Sequence, residues 1–198
     1  MKRPSAVLQA SNLGDAIGIG WFLREIEGVP TLGHAGSANG QFAELILVPG
    51  HNFAVVSLAN AGPEGITFNR EIIRWSLANY LQIIDRDPSP LPFDSAVAKE
   101  LEGFYANEVM TLTINIANGG LVMEVRIKPE IRAASDKELP PDHEPFAFGL
   151  LPDKKNEYMI TAGAFKGQRG WFTQDKSGNI IGVDLAGRLF TKTPIIRS

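Results

Sequence analysis

The chain has 198 residues, of which 44% are hydrophobic and 21% charged, and its 19 basic against 22 acidic side chains leave a formal net charge of −3. That length can bury one good core or two modest ones. No run of Lys and Arg is present of the kind that holds nucleic acid or an anionic membrane, apolar stretches such as FAVVSLANA are far too short to span a bilayer, and the absence of cysteine excludes a disulfide framework, a thiol nucleophile and a thiolate metal site.

The N-terminal MKRPSAVLQASNLGD carries a Lys-Arg pair, but Pro4, Gln9, Ser11 and Asn12 break any apolar core, so it does not read as a secretory signal. It reads instead as the middle of a longer protein. AIGIGWFLREI (16–26) is a β-like run with glycines at 18 and 20. After a turn at Glu27-Gly28-Val29-Pro30, TLGHAGS (31–37) is a strand candidate of weak propensity. QFAELILVP (41–49) and FAVVSLAN (53–60) are stronger strands joined by the turn residues 49–52. Four strands on such short connections predict an antiparallel meander. Beyond a turn at 61–65 the period changes: Ile66, Ile73, Leu77, Tyr80, Leu81 and Ile84 form one stripe, predicting a helix over about 64–84 against the sheet.

DRDPSPLPFDS (85–95) has prolines at 88, 90 and 92, which favour an extended linker and mark the best domain boundary. From there the pattern reads as β throughout. MTLTINIANGGLVMEVRI alternates across Asn118-Gly119-Gly120, a strong hairpin signal, and EPFAFGLLP, EYMITAGAF, QRGWFTQD and IIGVDLAGRLFTKT continue as strands. Seven or eight strands in about a hundred residues predict a small barrel or sandwich. The expected fold class is therefore α+β, an antiparallel sheet with a packed C-terminal helix (1–86), a Pro-rich linker (87–95) and a small all-β barrel (96–198).

GIGWFL…GHAGSANGQFAELILVPGHNFAVVSLANAG with the helix after it resembles the C-terminal part of the catalytic domain in the serine β-lactamase-like superfamily, on the class C and penicillin-binding-protein side. LEGFYANEVMTLTINIANGGLVMEV…GWFTQDKSGNIIGVDLAGRLF resembles the lipocalin-like barrel that many such hydrolases append. The resemblance implies that His34, Ala35 and Gly36 occupy the third catalytic motif, Lys-Thr-Gly or His-x-Gly. His34 would polarise the substrate or assist proton transfer, Gly36 would admit the substrate backbone, and the Ser37 N–H would be one arm of an oxyanion hole, such a donor being worth roughly 2.7–4 kcal/mol. Ala35 stands where a β-lactamase carries Thr, which favours an esterase, peptidase or amidase activity.

No Ser-x-x-Lys occurs; Ser95…Lys99 is one residue too long. Tyr105-Ala106-Asn107 spells the second motif but follows HAG instead of preceding it, so it is read as a decoy. The resemblance thus implies a C-terminal fragment of a serine hydrolase that forms an acyl-enzyme on a small-molecule or peptide acyl substrate. The nucleophile would belong to a missing N-terminal part of the catalytic domain, leaving this chain inactive alone, in a periplasmic or extracellular setting. The alternative is a non-catalytic binding or structural protein whose barrel holds a ligand or partner. No metal site is expected from His34, His51 and His143, which are far apart without Cys or acidic companions. No cofactor is expected either, since GDAIGIG lacks the dinucleotide fingerprint. Trp21, Trp75 and Trp171 are expected in cores, and Phe146, Phe148, Phe165, Phe172 and Phe190 inside the barrel.

Overall fold

The computed structural model describes residues 2–38, 40–61, 64–136, 139, 141–152, 156–163 and 165–193. Asn39 of the HAGSANG stretch, Gly62 and Pro63 of the turn at 61–65, and Pro140 lie outside the described residues. The chain divides into two compact units, Met1–Asp87 and Pro88–Ser198.

The first unit is a six-stranded antiparallel sheet in chain order: β1 (Ala6–Val7), β2 (Ala16–Ile17), β3 (Phe22–Ile26), β4 (Val29–Ala38), β5 (Gln41–Val48) and β6 (Phe53–Ala59). The run at 16–26 is thus two strands and not one. The Gly18 N–H donates to the Trp21 carbonyl at 2.8 Å and Gly20 takes a φ of 73°, so Ile19 and Gly20 make a tight turn that their neighbours' β propensity conceals. Between β5 and β6 a single 3-10 turn, Pro49–His51, ends on Asn52 in the left-handed region.

Helix α1 (Glu64–Ser76) crosses β5 and β6 and runs on as one π-type turn, Leu77–Leu81, stopped by Gln82 at a φ of 61°. It is therefore shorter than the 64–84 expected. Ile73 and Leu77 are buried with Ile26, Ile46, Val48 and Ile83, each such side chain stabilising the unit by roughly 1.5–3 kcal/mol. Ile66 and Tyr80 of the expected stripe are exposed, and Trp75, expected in a core, is 57% exposed. The reason is that α1 buries small and polar residues against the sheet. A Cβ at Gly65 would come within 2.8 Å of the Phe42 ring, and Asn69, fully buried, accepts a 2.8 Å hydrogen bond from the Ser57 hydroxyl. Close approach at Gly65 turns Ile66 outward.

The second unit is a closed antiparallel barrel. Its strands are β7 (Gly103–Ala106), β8 (Met110–Ala117), β9 (Gly120–Ile127), β10 (Phe146–Leu150), β11 (Glu157–Ile160), β12 (Arg169–Gln174), β13 (Ile180–Leu185) and β14 (Arg188–Thr193). Closure comes from β14 pairing with β7, Thr191 opposite Ala106 and Thr193 opposite Phe104. Two helices interrupt the all-β expectation, α2 (Ser95–Leu101) and α3 (Pro129–Ala133). Asp94 caps α2, its Oδ1 accepting the Ala96 and Val97 N–H groups, and Ala98 and Leu101 plug that end of the barrel. Residues 88–94 carry no regular structure but lie against the barrel, the Leu91 N–H donating to the Leu150 carbonyl at 2.7 Å.

Side chains fill the barrel interior. Phe146, Phe148, Phe172 and Phe190 are buried there with Tyr105, Tyr158, Leu112, Ile114 and Met123. Phe165 packs at the rim and is half-buried, as is Trp171. The Tyr158 ring lies across Gly170, where a Cβ would stand 2.6 Å from its oxygen, and its hydroxyl donates to the Asp184 carbonyl at 2.6 Å. Burial pushes the phenol well above its ordinary range, so it stays a donor.

Candidate functional site: the uncovered half of strand β4

Strand β4 is twice as long as β3, and the mismatch creates the site. β3 pairs only with Val29 to Gly33, whereas β5 pairs with β4 from Leu32 to Ala38. Among the described residues, 34–38 therefore have a ladder on one edge and no strand on the other. The phase follows from the β3–β4 turn. Glu27 and Gly28, with φ of 50° and 80°, form a two-residue turn of the primed type, which makes Ile26 and Val29 a hydrogen-bonded pair. From Val29 every second residue aims its N–H and C=O at the β3 side. Thr31 and Gly33 meet β3; Ala35 and Ser37 present theirs to the uncovered edge.

The side chains leave that edge accessible. His34, Ala35, Gly36, Ser37 and Ala38 are all exposed, and a Cβ added at Gly36 would meet nothing within 4 Å. The His34 ring lies 5.5 Å from the Phe22 ring at a 42° tilt. The three sequence candidates His34, Gly36 and Ser37 thus share one strand half, with the Ser37 N–H on its open side and His34 beside it.

Behind the edge lies a polar layer that reading the sequence missed. Ala35 pairs with Glu44 of β5, which pairs with Ser57 of β6, so these side chains share the α1 face. Glu44, His34, Phe22, Arg24 and Thr31 line a small cavity of about 70 Å³. Burial raises the Glu44 carboxyl above its ordinary value, against the opposing pull of Arg70, Arg24 and Arg74. Arg24 makes a two-point ion pair with Asp85 at 2.6 and 3.1 Å, and Arg74 binds Asp87 at 2.6 Å. Burial works against the Arg74 charge, yet its hydrogen bonds to Asp87 and Asp85 raise it further above the ordinary guanidinium range. The visible signal was a single acidic residue breaking the apolar run FAELILVP. A larger hollow of about 670 Å³ lies toward the β3–β4 turn, lined by Leu23, Pro30, Leu32 and His51, away from the uncovered half of β4.

The other motif fragments do not join this site. Tyr105 is fully buried in the barrel unit, its hydroxyl donating to the Leu101 carbonyl at 2.6 Å, and the Asn107 side chain accepts the Val109 and Met110 N–H groups. Ser57 and Ser76 donate to Asn69 and the Ile72 carbonyl. Among the described residues no cluster of three His, Asp or Glu side chains could hold a metal, and no helix is long and apolar enough to cross a membrane.

No protein-family profile and no curated protein matches the chain. Solved structures do. A crystal structure of SurE aligns with a TM-score of 0.53 at 16% identity over 98% of this chain, and SurE with D-Leu aligns at 0.52 and 18% over 93%. An octameric penicillin-binding protein homologue from Pyrococcus abyssi aligns at 0.39 and 16% over 96%. The chain spans about two fifths of the length of these proteins, 41%, 40% and 40%. The likeness to SurE is one of fold. It corrects the resemblance drawn from HAGSANG and the strands around it: these two structures, both above a TM-score of 0.5, are of SurE, and neither identifies a serine β-lactamase catalytic domain in this chain. The residues that carried that resemblance are small side chains and hairpin turns, which an antiparallel meander uses for its own geometry.

Proposed function

We propose that the uncovered half of β4 is the substrate-binding wall of a serine hydrolase that works through an acyl-enzyme, with the nucleophile supplied from outside these 198 residues. An extended acyl substrate adds to the edge as a strand would, exchanging hydrogen bonds with the N–H and C=O groups of Ala35 and Ser37. Gly36 leaves room for the substrate backbone, and His34 offers a ring nitrogen beside the scissile carbonyl. Developing charge on the carbonyl oxygen is met by the Ser37 N–H, a donor already held in place by the β4–β5 ladder. The observation that carries this reading is the pairing mismatch: five exposed residues of β4 that β3 does not reach, with their donors in phase beside a histidine. On this reading the chain alone binds acyl ligands without turning them over.

SurE with D-Leu directs the choice of first ligand to an N-acetylated peptide ending in D-leucine. Titrated into the ¹⁵N-labelled chain, it should move the amide resonances of residues 34–38 saturably and leave the barrel unchanged. An absence of shifts in that segment at millimolar ligand sinks the binding assignment. Covalent labelling of any serine of this chain by a fluorophosphonate would overturn the claim that the nucleophile lies elsewhere.

A further inference from the structure

The barrel's two ends are finished differently. At the end where β7 begins, Ala98 and Leu101 of α2 plug the interior. At the other end, where β8 begins and β13 turns into β14, a hollow of about 410 Å³ opens to solvent. Its apolar lining includes Met110, Val125, Phe165, Leu185 and Phe190, of which Leu185 and Phe190 are buried core residues. The hollow is therefore floored by the barrel core itself. Its size falls within the roughly 300–1,000 Å³ of small-molecule sites, and its walls are apolar with few polar groups, as such sites are.

The charges around the rim indicate the occupant. Arg132 is paired with Asp142 at 2.7 Å, and Asp142 also accepts the Ile127 N–H; that bond and the guanidinium hold its carboxyl below its usual range. Arg126 is paired with Glu124. Arg188 stands at the rim, exposed, and makes no ion pair among the described residues. It follows Ala186 and Gly187, whose φ values of 55° and 74° make a two-residue turn, so its position is set by a rigid hairpin. His143 lies edge-on to Phe165, ring centroids 4.9 Å apart, and adds a second nitrogen-bearing side chain to the rim.

We propose that this end of the barrel binds a small amphiphilic anion, its apolar body seated on Phe190 and Leu185 and its carboxylate or equivalent head on Arg188. Burial of the body supplies the affinity, and the guanidinium, which accommodates a carboxylate at two points, selects the anionic head. The site lies in the second unit and is independent of the reading of β4, so either can fail without the other.

The test uses the full chain and decanoate, with decanol as the uncharged counterpart, followed by isothermal titration calorimetry and amide shifts below the micellar range. Decanoate should bind one per chain, moving the resonances of Val109, Phe165 and Arg188, and decanol should bind at least tenfold more weakly. Arg188→Glu changes an exposed side chain, so its fold is safe. It should weaken decanoate at least tenfold and leave decanol unchanged. Val109→Trp, at a residue 44% exposed on the rim, should fill the hollow and abolish both, with the thermal unfolding of the variant confirming its fold. No saturable binding of decanoate, shifts away from this rim, or equal decanoate affinity in Arg188→Glu would each overturn the proposal.

Discussion

Asp184 shows how a single side chain can set the pH response of a unit. It is 4% exposed on β13, and desolvation raises its carboxyl from an ordinary 3.8 to about 6, only partly relieved by a long 3.4 Å hydrogen bond from the Gly187 N–H. The folded state thus keeps this proton up to about pH 6, whereas the unfolded chain releases it near 3.8. Between those values the native state binds more protons, so the contribution is stabilising below pH 4 and is lost as pH rises through 6. Asp184→Asn should match the parent in urea unfolding at pH 4 and exceed it at pH 8 by on the order of 2 kcal/mol, with the difference developing between pH 4 and 6. Equal stabilities at pH 8 would mean that the carboxylate is solvated after all. The sequence around it, IIGVDLAG, reads as an unbroken strand; nothing in it marks Asp184 as buried, because the burial comes from neighbours distant in the chain.

At the level of elements, neighbouring residues of β4 should respond oppositely to the same change. Ser37 sends its N–H to the open edge, whereas Gly36, opposite Ala43, sends its own into the β5 ladder. Ser37→Pro should leave thermal stability within a few degrees and remove peptide-induced shifts; Gly36→Pro should lose a ladder bond and destabilise the unit by about 1–3 kcal/mol. A reversed order would show that the strand phase is the other way round. The meander, the Asn118–Gly119 turn and the strands of the second unit were legible because alternation and turn chemistry are local. The Gly18–Trp21 turn and the short α2 were not. The first lay inside an apolar run, and the second followed three prolines that masked Asp94 as a cap. The helix stripe misled at Ile66 and Tyr80 because α1 approaches the sheet through Gly65 and Asn69, a contact whose partners, Phe42 and Ser57, lie on strands earlier in the chain. His34, Gly36 and Ser37 could be located by motif alone, but that their strand outruns its neighbour is a fact of register. Strand count and resemblance pointed to the barrel, but the pair that closes it, Ala106 opposite Thr191, joins residues far apart in the chain and has no local signal.

At the scale of the whole molecule, the described residues form two apolar cores, one centred on Val48 and Leu77 and the other on the buried aromatics of the barrel. Each unit orders its own backbone around its own core, so unfolding should be resolved into two transitions, and a single two-state fit should fail. Differential scanning calorimetry checks this, with one coincident transition as the opposing result. The units also differ in what they offer to other copies of themselves. The barrel has no edge strands to extend. In the sheet, β6 stands last in the strand order, and its seven residues, FAVVSLA, carry no charge and hold Val56 and Leu58 out to solvent at 59% and 74% exposure. An outermost strand with neither lysine nor proline lacks the usual guards against intermolecular pairing. Colloidal stability will therefore be decided by the sheet: wherever β6 stays uncovered, concentrated solutions should self-associate through that strand, and a lysine introduced there should do more for solubility than any change on the barrel.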